Sequence, residues 1–174
     1  MFDAINGENL ISTVFQEMFL SHNMDRLFGL ILLHRHFDLD SSEKLVEYRG
    51  TSVPWKTSMI SDDISAACWT ISAHGVISPY EFTYAPRSDP DLGPNLGKPE
   101  QVAFFNAFRT LLKQHHAEGV FGLCQYPGDD FQGRVEITEG RANINLKPQD
   151  VCIYVGVLLE RRANMTGHCS VQKT

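Results

Sequence analysis

The chain predicts an α+β protein in which a mainly antiparallel β-sheet carries two principal helices packed against it. Three observations lead there. Apolar residues recur with helical spacing in two distant stretches, Asn6 to Ser21 and Pro99 to Gly119. Several short alternating or apolar runs follow each of them in succession, punctuated by turn residues, in place of a regular strand-helix alternation. At 174 residues, 43% hydrophobic and 21% charged, the chain has the length and composition of one ordinary folded domain. The expected layout is a single domain over 1–160 and a polar C-terminal tail over 161–174.

In the first helix, Asn6 or Asn9 supplies the cap, Leu10, Val14 and Met18 form one stripe, and Ile11, Phe15 and Phe19 lie beside it. Leu27 to Phe37 is the longest apolar run and reads as a strand. It is too short to span a membrane. Alternation puts Phe28, Leu30, Leu32, His34 and His36 on one face. The turn residues of Asp38 to Glu43 and the alternation of Lys44 to Tyr48 predict that this strand returns as a hairpin. Pro54 argues against a central strand at Thr51 to Trp55.

Ala66 to Ala73 reads as a buried strand, and Tyr80 to Tyr84 alternates aromatic residues with Glu81 and Thr83. Ala85 to Gly97 is the one long irregular segment, a crossover or a lid. Pro99, Glu100 and Gly119 bracket the second helix, whose apolar face is Phe104, Phe105, Phe108, Leu111 and Leu112, with His115 and His116 in its last turn. Strands are expected at Val120 to Gln125, Arg134 to Thr138 and Ala142 to Leu146, the last two joined at Glu139-Gly140, with a second interior strand at Val151 to Glu160. Helix, break, Phe28-Gly29-Leu30 and hairpin can be laid beside helix, Gly119, Phe121-Gly122-Leu123 and hairpin, which suggests a weak internal pseudo-repeat.

Fifteen basic against 21 acidic residues leave a net charge of -6, and the Arg161-Arg162 pair is the densest basic stretch. That argues against a nucleic-acid partner, which needs a basic face. Cys68, Cys124, Cys152 and Cys169 are dispersed, as reduced thiols of a cytoplasmic protein are, although their even count also permits disulfides. The acidic first ten residues do not have the pattern of a secretory leader.

His34-x-His36 places two imidazoles side by side at a strand's end, their alpha carbons roughly 7 Å apart, as metal sites often do. A third ligand would come from Asp38, Glu43, Glu47, Glu81, His74 or a helix histidine. Glu43 and Glu47, on the returning hairpin strand, are nearest by connectivity. The set His34, His36 and Glu43 would hold one divalent ion, zinc, iron or manganese, with positions left open for water or substrate. Without metal, His34 or His36 could act as a base with Glu47 or Glu81 as partner. No HExxH, GxSxG, P-loop or GxGxxG pattern occurs. The expectation is a small soluble cytoplasmic enzyme acting on a small organic molecule. Its rival is a catalytically silent ligand-binding or protein-interaction module whose contact surface is Trp55, Tyr80, Phe82 and Tyr84. Either reading is compatible with a homodimer through an apolar patch or an edge strand.

Overall fold

The computed structural model describes residues 2–84 and 94–151. Helix α1 runs without a break through an α-helical piece at Gly7–Leu10, a π-helical turn at Ile11–Phe15 and a second α-helical piece at Gln16–Ser21. The wide turn has a local cause. Ser12 and Thr13 hydroxyls donate to the carbonyls of Glu8 and Asn9, drawing on acceptors that the regular ladder would use. Asn6 stands at the N-cap with φ 53°, but its side chain makes no capping bond. Eight strands follow: β1 Phe28–Leu32, β2 Glu43–Tyr48, β3 Thr51–Lys56, β4 Ile64–Ile71, β5 Ile77–Tyr84, and, after helix α2 at Pro99–Gln114, β6 Phe121–Gln125, β7 Val135–Glu139 and β8 Ala142–Leu146. They make one curled sheet, a half-barrel, in the order β1-β6-β4-β5-β2-β3-β8-β7. Every pairing is antiparallel except the short β2–β5 contact at Val46–Phe82 and Glu47–Thr83.

Both helices press on one face of the sheet, and the seal between them is aromatic. Phe15, Phe28, Phe104, Phe108 and Phe121 are all almost completely buried. Phe15 meets Phe108 and Phe121 at 5.6 and 5.0 Å between ring centres, and Phe28 stacks on Phe104 at 5.7 Å. Each such ring contributes about 1.5–3 kcal/mol by leaving water. No helix among the described residues is long and apolar enough to cross a membrane.

Four sequence expectations meet a different structure. The strand at Leu27 to Phe37 stops at Leu32, and it does not return as a hairpin: β1 pairs with β6, while β2 pairs with β3 and β5. The connector 33–42 instead crosses the open end of the curled sheet, since β1 and β2 stand at separated positions in the sheet order. Thr51–Lys56 is a strand between two others, but β8 covers only Thr51 and Ser52. Pro54 therefore sits where the outer side of β3 is unpaired, and its missing N–H leaves no gap in the ladder. Helix α2 ends at Gln114, so His115 and His116 lie beyond its last turn. His116 takes φ 51° and Ala117 N–H reaches back to Leu112 O, a Schellman closure with buried Leu112 and Ala117 in contact positions. The expected strand Val151–Glu160 and the tail 161–174 lie outside the described residues apart from Val151, as do most of Ala85–Gly97 and both Cys152 and Cys169.

The pseudo-repeat is visible in the backbone itself. Bonds His22 N to Met18 O, Asn23 N to Leu20 O, Met24 N to Phe19 O and Phe28 N to Met24 O recur, at one constant spacing, as His115 to Leu111, His116 to Lys113, Ala117 to Leu112 and Phe121 to Ala117. Asn23 even shares the left-handed conformation of His116, with φ 55°. The two copies are related by a local two-fold axis. Leu30 faces Leu123 at its centre, and Leu33 N to Val120 O is mirrored by Tyr126 N to Leu27 O. The hairpins obey it too: Ser52 and Asn143, each the residue after the pair closing its hairpin, face each other across β3 and β8.

Candidate metal centre

On its way across the end of the sheet, the connector 33–42 meets β5 and β7. Tyr80 O–H donates to the His34 carbonyl at 2.7 Å, fixing the backbone there. The His34 and His36 rings lie 4.3 Å apart between centres, inclined at 73°. The two histidines thus come together as strand alternation suggests, although both stand past the end of β1.

Each ring is anchored by one nitrogen and presents the other. His34 Nδ1 donates to Leu32 O at 3.0 Å, an acceptor-only partner that places the proton on Nδ1. Its Nε2 lies 2.7 Å from Glu136 Oε2. His36 Nδ1 is 2.9 Å from Thr138 Oγ1, and its Nε2 is 3.2 Å from the same Glu136 oxygen without hydrogen-bond alignment. That Nε2 is buried and has no hydrogen-bond partner. One atom each from His34, His36 and Glu136 falls within 4.8 Å of the others, a group that could hold a metal ion. The His36 nitrogen fits such an ion, because a buried ring nitrogen that makes no aligned hydrogen bond is costly unless something binds there.

Electrostatics separate the two imidazoles. Partial burial works against charging His34, but its bond to the Leu32 carbonyl and the Glu136 and Glu81 carboxylates outweigh it and raise its pKa. Burial and then the neighbouring His34 ring push His36 down, against the pull of Glu136.

Glu136 is a ligand candidate that sequence reasoning does not reach. It sits on β7, opposite Asn145 of β8, with Thr138 on the same face. The residues named from sequence are placed elsewhere. Glu43, proposed as third ligand because a hairpin was expected, is held by Arg141, by Lys56 Nζ at 3.1 Å and by the Asp40 N–H at 3.1 Å. Those contacts draw its carboxyl down to about 2, the Arg141 bond foremost. Glu47 accepts from Gly50 N–H at 2.6 Å and from the Thr83 hydroxyl at 3.2 Å, on the wall of the large cavity. Neither belongs to the His34–His36–Glu136 group. Glu81 does lie close. It lines both the small pocket of about 250 Å³ beside the histidines and the large cavity of about 730 Å³ in the curl of the sheet. Burial, and then the Glu136 charge, push its carboxyl up, while the Cys68 thiol donates to its Oε2 at 3.9 Å.

The four aromatic residues are divided. Tyr80 lines the small pocket and Phe82 the large cavity, beneath Lys44 Nζ at 4.1 Å from its ring centre. Trp55 and Tyr48 pack on Tyr84 at 6.0 and 5.2 Å between ring centres.

Comparisons of the chain with protein-family models, with curated proteins and with solved structures found no match.

Proposed function

We propose that the protein is a metal-dependent enzyme acting on a small organic molecule, with His34 Nε2, His36 Nε2 and the Glu136 carboxylate as the protein ligands of one divalent ion. The observation that carries this reading is the shared orientation of the two imidazoles. Both are pinned through Nδ1, and both turn Nε2 toward one carboxylate oxygen. Partners that hold the far side of a ligating ring in this way fix its tautomer and direction. Two nitrogens and one carboxylate suit zinc, iron or manganese, and a three-ligand set leaves room for a substrate atom. Such an ion supplies Lewis acidity and, at neutral pH, an activated water.

The protein's own part is to position and to handle protons. Glu81, on the wall shared by the two pockets and biased toward its neutral form by burial, would hold a proton within reach of a substrate seated between them. The apolar part of the large cavity, including Leu30, Ile31 and Phe131, would exclude water from the rest of that substrate.

The test is elemental analysis of the purified full chain, before and after loading with zinc, iron(II) or manganese(II), beside a folded His34→Ala/His36→Ala variant. Stoichiometric metal in the parent that is lost in the variant supports the reading. Metal-free parent protein after all three loadings overturns it. It would leave the His34–Glu136 pair, 2.7 Å apart, as a metal-free acid-base couple.

A further inference from the structure

We propose that the large cavity takes a short organic acid, its carboxylate held by Arg134 while its other end reaches toward Glu136 and the two histidines; this rests on the metal-centre reading above. Arg134 is the only cationic side chain among the described residues that line this cavity. No ion pair or hydrogen bond engages it among the described residues, and its guanidinium lies over the face of the Phe131 ring, 5.8 Å from the ring centre. Other arginines are spent differently: Arg26 pairs with Asp129, Arg35 with Asp38 and Arg141 with Glu43. A planar guanidinium left open at the wall of a cavity is shaped for two parallel bonds to a carboxylate.

The acidic groups that share the cavity do not cancel this preference. Asp25 pairs with Arg26 at 3.9 Å, Glu47 is occupied by Gly50 and Thr83, Glu136 faces His34, and burial biases Glu81 toward its uncharged form. Burial raises the pKa of Cys68, Glu81 and Cys124, and the nearby charge of Arg134 only partly opposes it. Spacing then limits the acid's length. Arg134 immediately precedes β7 and stands two residues before Glu136, a span of roughly 7 Å at most, so only a few carbons separate the carboxylate from the reacting end.

The test uses succinate as the probe and its uncharged diamide as the control. Binding of each is measured by calorimetry to the zinc-loaded and metal-free full chain, for the parent, Arg134→Gln and Arg134→Lys, with zinc affinity read separately by chelator competition and folding by circular dichroism. The expected result is succinate binding that weakens about tenfold or more in Arg134→Gln, is partly kept in Arg134→Lys, and is absent for the diamide. Equal succinate affinity in parent and Arg134→Gln, or no succinate binding to either form of the parent, overturns the inference even if zinc binds. Arg134-dependent succinate binding to a chain that takes up no zinc overturns the metal reading and keeps the acid site.

Discussion

Thr138 Oγ1 lies 2.9 Å from His36 Nδ1, and this bond turns the buried Nε2 of that imidazole toward Glu136. The two residues are 102 positions apart in the chain. Thr138→Val keeps the shape of the side chain and removes the hydroxyl. Zinc affinity is expected to fall about 10–100-fold, as it does when the outer partner of a ligating histidine is lost. Chelator competition measures this, and an unchanged affinity would show that Thr138 does not orient the ring.

The internal two-fold predicts how many ions are bound. Under the symmetry, His34, His36 and Glu136 correspond to Pro127, Asp129 and Leu45, which together offer a single donor. Native mass spectrometry of the zinc-loaded chain should therefore show one ion and not two, and Glu136→Gln should reduce that occupancy. Two ions per chain would mean that the second copy holds a site of different composition.

Acid stability should depend on Glu43. Arg141, the Asp40 N–H and Lys56 lower its folded-state pKa from 4.5 to about 2. A depressed carboxylate pKa contributes stability that is complete above about pH 4.5 and is lost as pH falls toward 2. Urea titrations of Glu43→Gln should accordingly give lower stability than the parent at neutral pH and a shallower decline across that acidic window. Parallel curves for the two proteins would contradict the assignment.

Packing predictions centre on the joined helices and the β1–β6 pair. Phe108→Ala removes a fully buried ring from between Phe15 and Phe104 and should cost about 3–5 kcal/mol in denaturant unfolding. Gly122→Ala would place a Cβ 2.7 Å from the Trp69 carbonyl and 2.8 Å from a Leu33 methyl. Backbone cannot yield there as a side chain can, so a loss of about 1–3 kcal/mol is expected. A neutral Gly122→Ala would show that β4 shifts away from β6 without penalty.

The fold class was legible because its signals are local. Helical stripes such as Phe104, Phe105 and Phe108, and alternation such as Tyr80, Phe82 and Tyr84, need only neighbours in sequence. Two histidines on one side of the chain were legible for the same reason. What failed was pairing at a distance. Asp38 to Glu43 looks like a hairpin turn, yet β1 has its partner in β6, far along the chain, and the false hairpin pointed to Glu43 as third ligand. Glu136 and Thr138 carried a faint signal, polar groups alternating with Val135 and Ile137 on a strand. Nothing local places that strand opposite His34.

The two-fold axis through Leu30 and Leu123 bears on how the chain folds. Among the described residues β1 has β6 as its sole strand partner, and the rings of α1 close against those of α2. The first copy alone would leave β1 unpaired and the rings of α1 without those of α2, so neither copy is expected to fold without the other. Their association has to close a very long loop, and slow, cooperative folding is the expected consequence.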